Sequence, residues 1–389
     1  MNKYLLSVII PTRNRQKYCK AAVNQILDHN WEGVEICIQD NSDYDSLHDW
    51  IDSLHDNQVV YNYHPGNLSF VDNFSEAVSL AHGDYLCMIG DDDGVLPSIL
   101  TLVETMIREK ADAAIPALNF IYFWPSLQHI VENSEQGLLL AHLYSEQTGG
   151  RVKVINGGER GLIKLLRNGV QDYYGYNIPR LYHGIVKREI LEGIKDTTGH
   201  YFGGLTPDMY MAAALSLTCK KILRVNYSIT ISGICPKSGS SDSATGKHTG
   251  DLKDAPHFRG HNDYEWNELI PAFYSVDSIW GDTLLHALKE FKREDLIKKF
   301  NLALFSGLCL NKYCEYSNLI LQHAKNNGCT VSLIKRNLAV YKIKNVIIRI
   351  KAKIERTFNS KGLGKANKKI KDVFDIKSAE CAILKLYNQ

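Results

Sequence analysis

Four short apolar runs, each followed by an amphipathic stretch, lie between Leu5 and Ile89 and constrain the fold more than any other feature. Leu5–Ile10 is continuously apolar and rich in β-branched residues, as in a strand covered on both faces. Residues 16–29 then place Ala22, Val23, Ile26 and Leu27 on one helical stripe. Val34–Ile38 reads as a second strand, and Leu47, Ile51 and Leu54 keep helical spacing after it. Val59–Tyr63 is a third strand. Phe70, Phe74, Ala77, Val78 and Ala81 mark the helix behind it, closed by Gly83 in the usual C-terminal position. Tyr85–Ile89 is a fourth strand, and a helix over 98–109 begins around Pro97. Repeated β-α units with short connections predict an α/β fold with a mostly parallel, doubly wound sheet. Ligands bind such sheets at the carboxyl ends of the strands.

After Ile115-Pro116 the alternation breaks up. Residues 119–160 read as loops or strands inserted on the sheet, followed by a helix at 159–168, a strand at 181–187 and a helix from Pro207. These observations divide the chain into a first domain over 1–235, with halves 1–117 and 118–235, and a Ser/Gly-rich flexible loop over 236–262. A helical C-terminal region over 263–389 follows. Of the 389 residues 44% are apolar and 23% charged, which excludes a wholly disordered or fibrous chain. The formal net charge of +2 excludes a protein that seeks polyanions globally, so no nucleic-acid partner is expected. Nine scattered cysteines without a CxxC pair argue for a reduced, cytoplasmic protein with neither a zinc site nor a disulfide framework. The short apolar N-terminal stretch lacks a cleavage site and reads as the first strand, not a signal peptide.

The informative residues stand where the strands end. Strand one finishes in Pro11-Thr12-Arg13-Asn14-Arg15, strand two in Gln39-Asp40-Asn41-Ser42-Asp43, and strand three in His64-Pro65-Gly66-Asn67. Strand four finishes in Gly90-Asp91-Asp92-Asp93-Gly94. In an open parallel sheet these ends converge on one crevice. Three adjacent carboxylates raise one another's pKa, and a divalent cation removes that penalty. Oxygen ligands favour a hard ion, Mg²⁺ or Mn²⁺, of the kind that also holds substrate phosphates. The plainer alternative is an acidic turn that caps the 98–109 helix.

Ser7-Val8-Ile9-Ile10-Pro11-Thr12-Arg13-Asn14-Arg15, Asp40-Asn41-Ser42-Asp43, Gly83-Asp84-Tyr85-Leu86 and Asp91-Asp92-Asp93 with Pro97 four residues on resemble glycosyltransferase family two. The resemblance covers residues 5–115 strongly and 180–220 moderately. It implies a GT-A fold, to which the helical C-terminal region is an extension outside the resemblance, a nucleotide-diphosphate sugar donor and inversion at the anomeric centre. By the same resemblance Pro11, Thr12, Arg13 and Arg15 line the nucleotide, Asp40 accepts from the base, and Asp91 contacts the ribose. His64, Asn67 and Asn73 are further candidates for the nucleotide-sugar. Asp92 and Asp93 hold the metal; counting back from Pro97 favours Asp92, whereas a D-x-D spacing favours Asp91 with Asp93. Gly203-Gly204-Leu205-Thr206-Pro207-Asp208 resembles the family's Glu-Asp motif with Pro207 in the Glu position, which implies Asp208 as the catalytic base. The alternative for Asp208 is a helix N-terminal Asp stabilised by the macrodipole. His183, after Leu181-Tyr182, would line the acceptor pocket or serve structure alone.

The function so implied is a metal-dependent inverting glycosyltransferase. It would move a sugar from a UDP-type donor to a glycan or lipid-linked acceptor in surface polysaccharide or lipopolysaccharide assembly. A nucleotidyltransferase shares the acidic metal site but usually begins with a Gly-rich loop, and Pro11–Arg15 contains no glycine. A non-catalytic scaffold has no need of clustered acids. Lys237, Lys247, His248, His257, Arg259 and His261 give the 236–262 loop cations to close over a diphosphate, or make it a plain connector. Between Lys335 and Lys371 stand thirteen Lys/Arg and one acid, Glu355. Val340, Ile343, Ile347, Ile350 and Ile354 recur there at helical spacing, so 338–357 reads as a basic amphipathic helix. Such a helix suits peripheral contact with the inner face of an anionic membrane, packing on the protein's own core, or a partner.

Overall fold

The computed structural model describes residues 3–387 except 67, 128–130, 133, 144–151, 172, 237–248, 253–254, 261–262 and 360–365. The four apolar runs form β1 (Leu6–Thr12), β2 (Val34–Asp40), β3 (Val59–Tyr63) and β4 (Tyr85–Met88). These strands lie parallel, in the order β3-β2-β1-β4, with Thr12 opposite Asp40. Their crossovers include α1 (Gln16–Leu27), α2 (His48–Leu54) and α3 (Phe70–Ser79). Leu6, Val8 and Ile10 of β1 pack with Val23 and Ile26 of α1, while Ile9 points to the opposite core with Ala77 and Val78 of α3. Two covered faces explain why β1 is apolar at every position from Val8 to Ile10. Each such Ile or Val buried contributes about 1.5–3 kcal/mol.

Gly83 departs from expectation. The helix ends at Ser79, and Gly83 lies against β1, where an added Cβ would fall 2.7 Å from the Ser7 nitrogen. Its N–H donates to Ser7 Oγ and to the buried Glu35 carboxylate. Close backbone approach, not helix termination, is what requires glycine there.

Downstream lie β5 (Gly94–Val95), α4 (Ser98–Glu109) and β6 (Ala113–Ile115). The inserted region contains β7 (Phe120–Phe123), β8 (Leu138–Leu143) and β9 (Lys153–Asn156). Then come α5 (Glu159–Arg167), β10 (Ile185–Lys187), α6 (Arg188–Thr198), α7 (Pro207–Thr218), β11 (Lys221–Arg224) and β12 (Thr230–Ile234). The main sheet runs β3-β2-β1-β4-β10-β6-β11-β9, parallel except around β10 and β9. This is the α/β, mostly parallel, doubly wound arrangement expected. The strand expected over 181–187 begins only at Ile185. Before it the chain turns, with His183 at φ 55 and a Cβ on Gly184 only 2.0 Å from the Arg180 carbonyl oxygen.

A short pair, β13 (Thr249–Gly250) with β14 (Tyr274–Ser275), leads into α8 (Val276–Glu290). The helices α9 (Glu294–Ile297), α10 (Leu302–Lys312), α11 (Ser317–Asn326) and α12 (Val331–Asn359) follow. The basic stretch read over 338–357 lies inside the longer α12. A strand interrupts the helical region, however. β15 (Ala366–Lys371) pairs antiparallel with β8 as the edge of a second sheet, β15-β8-β7-β12-β5, and α13 (Ile376–Tyr387) packs over that sheet. β15 carries three lysines and one large apolar residue, Ile370, as suits an edge strand, so no apolar alternation betrays it. α13 reaches the end of the acidic turn: a Cβ on Gly94 would lie 2.6 Å from Ile376 Cγ1. Buried Glu380 accepts from Gln25 at 2.8 Å and lies 2.8 Å from His29, and the same Gln25 amide donates to the Val95 carbonyl.

Candidate active site

β1 delivers Thr12 to the carboxyl edge, and the turn before α1 sends Arg15 back across it. Arg15 grips Asp91 in a fork, Nε 3.0 Å from Oδ2 and Nη2 2.7 Å from Oδ1, and Thr12 Oγ1 donates to Oδ2 at 2.5 Å. Burial works against the Arg15 charge, but Asp91 and Asp92 outweigh it and raise the guanidinium pKa. Burial also pushes Asp91 upward, with Arg15 opposing. The forked geometry favours the ion pair.

Asp93 is directed the other way. Its Oδ2 accepts from the Gly90 N–H at 2.6 Å and the Tyr182 hydroxyl at 2.9 Å, and its Oδ1 from the Gly233 N–H at 2.6 Å. His183 Nε2 stands 3.3 Å from the same carboxylate, and Nδ1 is 2.8 Å from Thr230 Oγ1. Burial pushes the imidazole down to about 3, so His183 is neutral at ordinary pH.

Asp92 stands between them. Its Oδ2 accepts from the Cys235 N–H at 3.0 Å, its carbonyl from the Trp124 indole at 2.8 Å, and its Oδ1 lies 3.7 Å from Arg15. β12 closes down on this turn, and a Cβ at Gly233 would sit 1.8 Å from the Asp92 carbonyl oxygen. The three carboxylates therefore diverge, each with its own partners. Among the described residues no cluster of three or more His, Cys, Asp or Glu is arranged to hold a metal. Asp91 is occupied by Arg15 and Thr12, Asp93 by backbone N–H groups and Tyr182, and only Asp92 lines the cleft.

That cleft measures about 430 Å³ and is bordered by Pro11, Arg15, Asp92, His183 and Asp208. Its far wall carries Tyr174, His257 and Trp280. Asp208 occupies the first turn of α7 behind Thr206-Pro207. Phe74, Met88, Phe202 and Met211 surround it, and burial raises its carboxyl to about 6. A smaller recess of about 80 Å³ adjoins, sharing Pro11, Arg15, Phe70 and Phe74 with the first. Thr12, Arg13, Asn41, Asn73 and Arg259 complete it, so three guanidiniums and no carboxylate border this recess. The buried Oδ1 of Asn73 has no hydrogen-bond partner there.

Pro11, Thr12, Arg13, Arg15, Asp92, His183 and Asp208 thus meet along one trough. Asp40 and Asp91 lie behind its wall. Asp40 is fully buried; its Oδ1 accepts from the Ser42 N–H at 2.8 Å, and the Tyr61 hydroxyl is 3.2 Å from Oδ2. Asn67, Lys237, Lys247, His248 and His261 are outside the described residues. No motif marks Trp124, Gly233, Cys235 or Trp280 as part of the site. Their part depends on β12 and α8 folding back over the acidic turn, which no local pattern encodes.

Residues 7–123 match the family described as Glycosyl transferase family 2. The chain is 36% identical over 115 residues to the abequosyltransferase RfbV of Salmonella typhimurium, covering 28% of this chain and 34% of that protein. It is 28% identical over 103 residues to the putative colanic acid biosynthesis glycosyl transferase WcaA of Escherichia coli, covering 26% and 37%. Glycosyltransferase GlyG of Streptococcus pneumoniae is 28% identical over 116 residues, covering 28% and 38%. The alignments thus span little more than a third of each relative. The crystal structure of S. aureus TarS 1-349 covers 84% of this chain and 93% of its own at 14% identity, with a TM-score of 0.45. At that score the likeness adds nothing to what the strands themselves show.

Proposed function

We propose that this chain, whose residues 7–123 match the glycosyl transferase family 2 model, is an inverting glycosyltransferase of surface polysaccharide biosynthesis. It would transfer a hexosyl or N-acetylhexosaminyl group from a nucleotide-diphosphate donor, UDP favoured, to a hydroxyl of a glycan or lipid-linked acceptor. One observation carries the reading: a guanidinium-bordered recess shares its lining with a cleft that both Asp92 and Asp208 border. The names of RfbV and WcaA, a sugar transferase and a colanic acid enzyme, support the substrate class.

Arg13 and Arg259 offer charge to the nucleotide diphosphate, and Asn73 Oδ1 offers an acceptor to the base or ribose. Arg15, anchored by Asp91, stands where the two cavities join and would stabilise the departing diphosphate without reorganising. Asp208, raised to about 6, is ionised at neutral pH yet basic enough to take the acceptor hydroxyl proton as that oxygen attacks. Inversion needs no covalent enzyme intermediate, so one carboxylate base suffices.

Mg²⁺ or Mn²⁺ fits this site through one protein carboxylate, Asp92, with substrate phosphates completing its shell. When bound it would supply charge neutralisation at the leaving group. Asp93 and His183 hold the turn and the cleft wall and make no contact with substrate in this reading. Peripheral membrane contact on the cytoplasmic face belongs to the same reading.

Calorimetric titration with UDP, dTDP and GDP, each with and without Mn²⁺, tests it. UDP should bind with Mn²⁺ and lose at least about tenfold in affinity in Arg13→Ala, since a charge-assisted bond to phosphate is worth about 1.5–3 kcal/mol. Absence of binding by all three nucleotides would contradict the reading.

A further inference from the structure

The helix α12 leaves the body of the protein partway along its length. Its first turns pack on α10, where a Cβ on Gly307 would lie 3.2 Å from Ile334 Cγ2 and 3.4 Å from Leu338 Cβ. At about 100° per residue, Ile334, Leu338, Tyr341 and Asn345 share that inner side, and all four are buried or half-buried. Val340, Ile343, Val346, Ile347 and Ile350 fall within an arc of about 120° on the opposite side. They are 44–60% exposed. Ile348, which turns toward the inner side, is 62% exposed, so among the described residues little covers the helix at that turn.

The charges flank this arc. Lys335 and Lys342 border it on one edge and Lys344 on the other, all exposed, with Arg336 at its N-terminal end. From Val331 to Ile350 the sequence has five cations and no acid. An apolar wedge with lysines on both edges is the arrangement that lets long side chains reach headgroups while the wedge enters the acyl boundary. No helix among the described residues is long and apolar enough to cross a membrane. A second copy on the same face would set these cations against their equivalents, with no acid from this stretch to offset them.

We propose that this outer face of α12 docks on an anionic lipid surface. The proposal deepens the reading of the cleft by giving it a place to meet a lipid-linked acceptor, and depends on that reading for nothing else. The test is co-sedimentation of the full chain with vesicles of equimolar phosphatidylglycerol and phosphatidylcholine, against phosphatidylcholine alone, at low and high salt. The protein should pellet with the anionic vesicles at low salt. Apparent affinity should fall about tenfold or more in both Ile343→Glu/Ile347→Glu and Lys342→Glu/Lys344→Glu. All four residues are exposed, so thermal melting should not change.

No pelleting with anionic vesicles, equal pelleting with both compositions, or unaltered pelleting of both variants overturns the proposal. So does a dimer at sedimentation equilibrium that Ile343→Glu dissolves, because the face then belongs to a second copy. Vesicle binding is read without any sugar donor, and turnover of a water-soluble acceptor by these variants should match wild type. Failure of docking is therefore distinguishable from failure of the cleft as an active site.

Discussion

Replacing Asp208 by Asn should make the protein more stable at neutral pH while removing its activity. Burial raises this carboxyl from the ordinary 3.8 to about 6. The unfolded chain titrates near 3.8, so folding takes up a proton between the two values. What the residue contributes to stability is fully present below 3.8 and lost as pH rises through about 6. A little over two pH units, at about 1.4 kcal/mol each, make the burial of the ionised form cost about 3 kcal/mol at pH 7.5. Asn keeps the shape and carries no charge. With about 2.1 cal/mol/K of unfolding entropy per residue, relief of that cost raises Tm by about 3–4 °C. The gain should shrink as pH falls below about 6 and approach zero only below about 3.8, where Asp208 is protonated in the folded and the unfolded chain alike. A helix-dipole role predicts the opposite sign, a loss of about 0.3–1 kcal/mol. Scanning calorimetry at several pH values gives the stability, and kcat on the same samples should fall about 10²–10⁴-fold with donor affinity kept. A lower Tm at pH 7.5, or a kcat close to wild type, refutes the assignment.

Wild-type kcat/KM should fall as pH drops through about 6, since the base must be ionised; an acid limb near 4 in a pH–rate profile would point to another carboxylate. Arg15→Ala leaves Asp91 buried without its partner and should cost about 3–5 kcal/mol in urea unfolding, against under about 1 kcal/mol if the pair were a solvated surface contact. Gly233→Ala must displace the Asp92 turn from 1.8 Å and should lower turnover at least tenfold, on the order of a misplaced catalytic group; unchanged turnover would mean the turn's position is immaterial. Glu380→Ala removes the buried carboxylate that faces Gln25 and His29, and a loss of about 1–3 kcal/mol by urea unfolding is expected.

The first four strands were legible because each carries an unbroken apolar run and an abrupt polar end. Residues such as Ile9 and Ile10 must satisfy cores on opposite faces of the sheet, which leaves no room for polar alternation. The acidic turn was legible as a site and illegible in its detail. Three consecutive side chains in a tight turn diverge, so Asp91 meets Arg15, Asp93 meets Gly90 and Gly233, and neither partner can be read from spacing along the chain. β15, and the place where α13 docks, were hidden for another reason. An edge strand with lysines gains its stability from β8, and α13 gains its own from Gly94 and Gln25, both far away in sequence. His183 falls outside the strand expected over 181–187 because its left-handed backbone is imposed by the Arg180–Gly184 turn, not by its own preference.

The most direct test of the trough as a sugar-transfer site is release of nucleoside diphosphate from UDP-sugars with Mn²⁺ by wild type and Asp92→Ala, with the product anomer assigned by NMR. A wild-type enzyme that releases UDP with inverted configuration, is silenced by EDTA and is at least about 10²-fold slower in the variant, the scale of losing one transition-state contact, is the predicted result. Release that survives both EDTA and Asp92→Ala, or a product of retained configuration, would contradict it.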